Sequence, residues 1–165
     1  MTRAIPLAEF DQEMATTRRL LERVPSERGE WKPHEESFPL GHLAQLVALM
    51  PGWIPRTLHE PFIDLAQGSG YSFETTETLL AEFDRGVEAA REALSSVTGE
   101  ALQEPWSLKH GDTVIFTQPR GEVVRNHLSH LIHHRGQLTV YLRLLDVPLP
   151  SIYGPTADER WDIPS

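Results

Sequence analysis

Between Pro6 and Pro25 the apolar residues Leu7, Phe10, Met14, Leu20 and Leu21 return at roughly helical spacing. Apolar positions three or four apart share one face, so the pattern predicts a first helix from Pro6 to about Val24. Ser26 to Pro39 is rich in turn formers and charge and reads as a loop, with Trp31 and Phe38 available as anchors to a core. A second helix is expected from Leu40 to Leu49. Pro51, Gly52 and Pro55 follow it. Proline lacks the backbone donor and clashes with the preceding turn, so an end, a kink or a restart is expected there. Residues 60–72 read as a polar connection.

The clearest periodicity comes next. Leu79, Leu80, Phe83, Val87, Ala90, Leu94 and Val97 keep an i, i+3, i+4, i+7 rhythm, predicting a helix from Glu74 to Val97 closed by Thr98-Gly99. Trp106 to Thr117 then changes character, with the turn His110-Gly111-Asp112 beside a β-branched and aromatic run. That predicts a short β-hairpin or extended excursion, with too few strands for a sheet core. A last long helix is expected from Gly121 to Asp146, before Pro148 and Pro150. The irregular tail after it carries Tyr153 and Trp161, which hint that it packs back. The elements add up to an all-α fold, a four-helix up-down bundle with the hairpin at one end, in a single domain spanning residues 1–165.

Composition narrows the chemistry. With no cysteine, disulfides, thiolate zinc sites and cysteine nucleophiles are excluded. A formal charge of −9 argues against a nucleic-acid partner, which requires a basic footprint. Arg125, Arg135 and Arg143 are expected to solvate helix faces or form ion pairs. No apolar run is long enough to span a membrane and no signal-peptide core develops, so a cytoplasmic protein is expected.

The chemistry concentrates in RNHLSHLIHHRGQL, with His127, His130, His133, His134 and Gln137. At ~100° per residue, His127, His130 and His134 fall within about 60° of one another, on a face continued by Leu138, Tyr141 and Leu145 and expected to point inward. His130 and His134, one turn apart, can reach one ion. His127 with His130 is a second pairing, whereas His127 and His134 are separated by ~10.5 Å along the axis. A third ligand must come from elsewhere. His42 is the best candidate, against the alternative of a solvent-exposed residue at a helix start. His59 and His110 are expected at the surface, and Glu35, Glu36 and Glu122 as solvated carboxylates. Neither HExxH, GxSxG, a P-loop nor GxGxxG is present.

NHLSHLIHHRGQLTVYLRLLDVPLPSIYGPTADE resembles the C-terminal part of the DinB (damage-inducible) family, within the DinB/YfiT-like metalloenzymes. WKPHEESFPLGHLAQLVALMPGW resembles its second-helix region, so the likeness covers nearly the whole chain. It implies a four-helix bundle, often a homodimer, with a three-histidine site. One ligand comes from the second helix and two from the HxxxHR element, here His130 and His134. The implied cofactor is a divalent metal ion, nickel or zinc. The implied activity is that of an S-transferase using a low-molecular-weight thiol, or of a metal-dependent hydrolase. One departure from the family pattern LGxLAxHVAELPGW matters: leucine occupies both the histidine position (Leu46) and the acidic one (Leu49). His42, one turn before Leu46, is the candidate replacement. The alternative is a non-catalytic helical-bundle binding protein with a degenerate metal site.

Overall fold

The structure, a computed structural model, describes residues 5–68 and 70–161. Four helices dominate it: α1 (Leu7–Leu21), α2 (Leu40–His59), α3 (Thr76–Ser96) and α4 (Arg120–Leu144). Three strands, β1 (Phe62–Asp64), β2 (Pro105–His110) and β3 (Thr113–Pro119), form one sheet in that order. Among the described residues no helix is long and apolar enough to cross a membrane. The last residues of the expected tail, 162–165, lie outside those described.

The second helix departs most from expectation. It runs unbroken through Pro51 and Pro55 to His59. Each internal proline costs about 3 kcal/mol. Yet α2 buries Leu40, Leu43, Leu46, Val47, Met50, Ile54 and Leu58, each worth about 1.5–3 kcal/mol. Packing outweighs the lost bonds.

Glycine lets α2 approach its neighbours. A Cβ on Gly86 of α3 would lie 3.1 Å from the Gly52 nitrogen, and one on Gly41 would enter the Phe73 ring at 2.6 Å. Thr75 caps α3 in a reciprocal box with Thr78. Surface pairs Arg18–Asp84 and Arg91–Asp11, both 2.8 Å, tie α1 to α3.

The strands are more than the hairpin expected from the sequence. β2 and β3 are antiparallel around a turn in which Gly111 takes φ 58°, and β1 adds parallel to β2. Asp64 at the end of β1 accepts from the Gly111 amide at 2.8 Å and so holds the turn. That bond, with a second from the Ala66 amide, depresses the Asp64 pKa.

α2 and α4 run in opposite directions. Thr57, near the end of α2, bonds His127 near the start of α4. Trp31, which leads into α2 through Leu40, meets Tyr141 near the end of α4. Arg120 joins the first pair of ends, donating to the backbone oxygens of Thr57 and Glu60. It thereby satisfies carbonyls left open where α2 stops.

α4 does not face the core as its histidines suggested. Its buried stripe is Val124, Leu128, Leu131, Arg135, Leu138 and Leu142. That stripe lies roughly a quarter turn from the histidine face at ~100° per residue. A charged side chain occupies the middle of the buried stripe.

Arg135 is only 1% exposed, so of its two expected settings it takes the ion pair and not the solvated face. Its guanidinium meets the Glu13 carboxylate at 2.7 Å and Thr17 Oγ1 at 3.0 Å on α1, and the Tyr153 hydroxyl at 2.7 Å. Tyr153 in turn donates to Glu13 at 2.9 Å. The tail is pinned further by Arg143–Asp158 and Arg19–Glu159, both at 2.5 Å. The tail therefore packs back through the Tyr153 hydroxyl, although the Tyr153 ring is 63% exposed, much as Trp161 is at 61%.

Candidate metal centre

One turn of α4 brings His130 and His134 together, with their Nε2 atoms 2.8 Å apart. Gln137, a further turn on, places Oε1 2.7 Å from His134 Nδ1. A carbonyl oxygen only accepts, so His134 Nδ1 carries the proton and Nε2 presents a lone pair. This is how a neighbouring acceptor orients a metal-binding imidazole. His130 Nε2–H therefore donates to His134 Nε2, and with that proton moved to His130 Nδ1 the two nitrogens would be close enough to share a divalent ion of the zinc or nickel type. His130 and its neighbourhood are open to solvent, while His134 is half-buried. Partial burial, then the adjacent His134 and His133, lower the His130 pKa and favour its neutral, ligating form.

His127 has a different setting. Its Nε2 lies 2.9 Å from the hydroxyl of Thr57, itself fully buried. Its ring meets Trp53 at 5.6 Å and Trp106 at 6.4 Å, both near edge-on. Burial, and secondarily His130, push the His127 pKa down to about 4. Trp53 also reaches His130, at 6.1 Å between ring centres, so it links the two histidines from α2.

His42 is not brought to the pair. It lies stacked between Phe38 at 4.3 Å and Tyr71 at 3.9 Å, and burial lowers its pKa. Trp53 is level with His130, and His42 lies eleven residues before it. That is about 16 Å along α2, against the about 6 Å from His130 to His134 along antiparallel α4. Leu49, one turn before Trp53, comes nearest to the level of His134. Leu46, where the family pattern has histidine, is 6% exposed. Among the described residues no three His, Cys, Asp or Glu side chains are grouped to hold a metal ion. His59, His110, Glu35, Glu36 and Glu122 are at the surface, as expected.

Sequence reasoning missed the roles of Thr57, Trp53 and Arg135. The available signal for Thr57 was a hydroxyl on an otherwise apolar helical face. For Arg135 it was an arginine in step with Leu128, Leu131, Leu138 and Leu142.

The profile of the DinB family matches residues 5–163. This chain belongs to the DinB family. It is 26% identical over 159 residues to the protein YrdA of Bacillus subtilis (strain 168), covering 94% of this chain and 89% of that one. Among solved structures it resembles a DinB-like protein from Bacillus subtilis (TM-score 0.69, 21% identity, 88% of this chain and 95% of the other). A DinB-like protein from Bacillus cereus is similar (TM-score 0.68, 22% identity, 89% and 95%). A mutant of a mycothiol-dependent maleylpyruvate isomerase shares the fold more distantly (TM-score 0.58, 14% identity, 84% and 63%).

Proposed function

We propose that this DinB-family protein binds a divalent metal ion, nickel or zinc, through His130 and His134, and that the bound form is a thiol-dependent transferase or a hydrolase. The observation that carries the reading is the convergence of two Nε2 atoms at 2.8 Å, with Gln137 orienting His134. A bound divalent ion supplies Lewis acidity and lowers the pKa of a coordinated water or thiol. The chain's own contribution is to favour the neutral form of His130, to fix the tautomer of His134 through Gln137, and to hold Trp53 and His127 beside them as an aromatic wall. The thiol part of the reading draws on the mycothiol-dependent fold relative. A homodimer, from the family resemblance, and a cytoplasmic setting, from the cysteine-free composition, complete it.

The test is metal content after purification and after titration with Ni2+ or Zn2+, for the parent and for His134→Ala. The parent is expected to hold about one ion per chain with two protein ligands, and His134→Ala to lose it. No metal in either protein, or equal binding by both, would sink the reading.

A second reading is favoured by buried Leu46 and by the Phe38–His42–Tyr71 stack: a degenerate site in a non-catalytic binding protein. Here Leu46→His binds Zn2+ far more tightly than the parent, and the parent turns over no thiol or hydrolysable ester. Equal tight binding by parent and variant would remove it.

A further inference from the structure

The buried cluster around Arg135 does nothing in the reading above, yet Arg135 is 1% exposed and its guanidinium is engaged by partners from both α1 and the tail. Its guanidinium accounts for Glu13 and Thr17 on one side and for the Tyr153 hydroxyl on the other. The Tyr153 ring also lies under the Arg135 guanidinium carbon at 5.2 Å. Three separate pieces of chain, α1, α4 and the tail, meet at this one side chain.

A buried planar fork with partners on two sides resists rotation of the helix that carries it. An imidazole nitrogen lies about 6–7 Å from a helix axis, so a 10° rotation of α4 displaces it by about 1 Å. That distance separates a well-aimed site from a loose one.

We infer that Arg135 is a positioning residue for the histidine face, with Tyr153 of the tail as the strap that holds it. The clamp sets the rotation of α4 against α2, and with it the distance from His130 to Trp53 and the bond from His127 to Thr57. This rests on the reading that the His130–His134 face is the functional site. The tail thereby becomes part of the site's geometry without touching it.

The geometry separates this role from general stabilisation. The His134–Gln137 bond and the His130–His134 contact lie within α4 and turn with it. The His127–Thr57 bond and the Trp53–His130 contact cross between helices and do not. In metal-free protein, histidine ring NMR signals of Tyr153→Phe are compared with those of the parent and of Glu159→Gln. Glu159→Gln weakens the tail's attachment to Arg19 and Arg23 and its bond from the Ser151 amide, while every partner of Arg135 stays in place. Tyr153→Phe is expected to shift the His130 ring protons, which feel the Trp53 ring current, and to mix the His127 tautomers. It leaves the His134 tautomer alone, and Glu159→Gln changes none of the three.

Should Tyr153→Phe fail to fold, Thr17→Val weakens the same clamp from the α1 side and is read the same way. Unmoved His127 and His130 signals in a folded variant overturn the inference, as does scrambling of all three histidines. The readout needs no metal. A parent that binds none defeats the proposed function alone, while unmoved signals in a metal-binding parent defeat this inference alone.

Discussion

His127 is the residue whose chemistry is most constrained by its surroundings. Its folded pKa of about 4 lies below the ordinary histidine value of 6.5, so the folded state resists a proton that the unfolded chain accepts. Stability from this group is complete above about pH 6.5 and is lost as pH falls through about 4. At 1.36 kcal/mol per unit the loss is about 3 kcal/mol. Urea midpoints of metal-free protein should therefore drop between these pH values. His127→Gln should flatten most of the drop, the remainder coming from His130 and His42, whose pKa values shift the same way. An unchanged slope in His127→Gln would mean that another group carries the dependence. At this scale the sequence was partly legible. The i, i+4 spacing of His130 and His134 is a local property, and the structure keeps it. Thr57 as the partner of His127 is seventy residues away in sequence, and no local pattern reports such a pairing.

At the scale of elements, legibility followed how much each helix owed to its own sequence. α3 is amphipathic along its length and lies within two residues of its expected bounds. α2 was cut ten residues short because its prolines are local signals, while the burial that overrides them is tertiary. β1 is three residues long and exists through its pairing with β2, so no periodicity could reveal it. The face of α4 was misjudged because Arg135 sits in the buried stripe and breaks its apolar pattern. The α2–α3 contact offers a test of how tightly the elements fit. Alanine normally improves a helix interior over glycine by about 1 kcal/mol. At Gly86 the added Cβ would meet the Gly52 backbone at 3.1 Å, and neither helix can yield by rotating a side chain. Gly86→Ala should therefore destabilise by about 1–2 kcal/mol in thermal or urea unfolding. A gain in stability would show that α2 and α3 separate easily.

Across the whole molecule the tail changes meaning. In the sequence YGPTADE is a family likeness without a mechanism; in the structure it is the fastening of α1 to α4. Tyr153 closes the buried Arg135–Glu13 pair, while Asp158 and Glu159 reach Arg143 on α4 and Arg19 on α1. The two surface pairs are exposed, and solvent screening leaves each a minor contribution. The buried pair is another matter, because without Tyr153 both Arg135 and Glu13 lose an enclosed hydrogen bond, and a bond to a charged group contributes about 1.5–3 kcal/mol. Contacts between α1 and α4 are sparse beside those of α2 with α3 and α4, so the loss should stay local. Removing the segment from Leu149 onward should speed amide exchange around Glu13 to Thr17 and Leu131 to Leu138. The amides of α2 and α3 should keep their protection short of global unfolding. Moderate salt should weaken Arg19–Glu159 and Arg143–Asp158 in the intact protein yet leave that exchange slow, since screening reaches exposed pairs far more than buried ones. Uniformly faster exchange across all four helices after the deletion would show that the tail supports the core as a whole, and not the seam between α1 and α4.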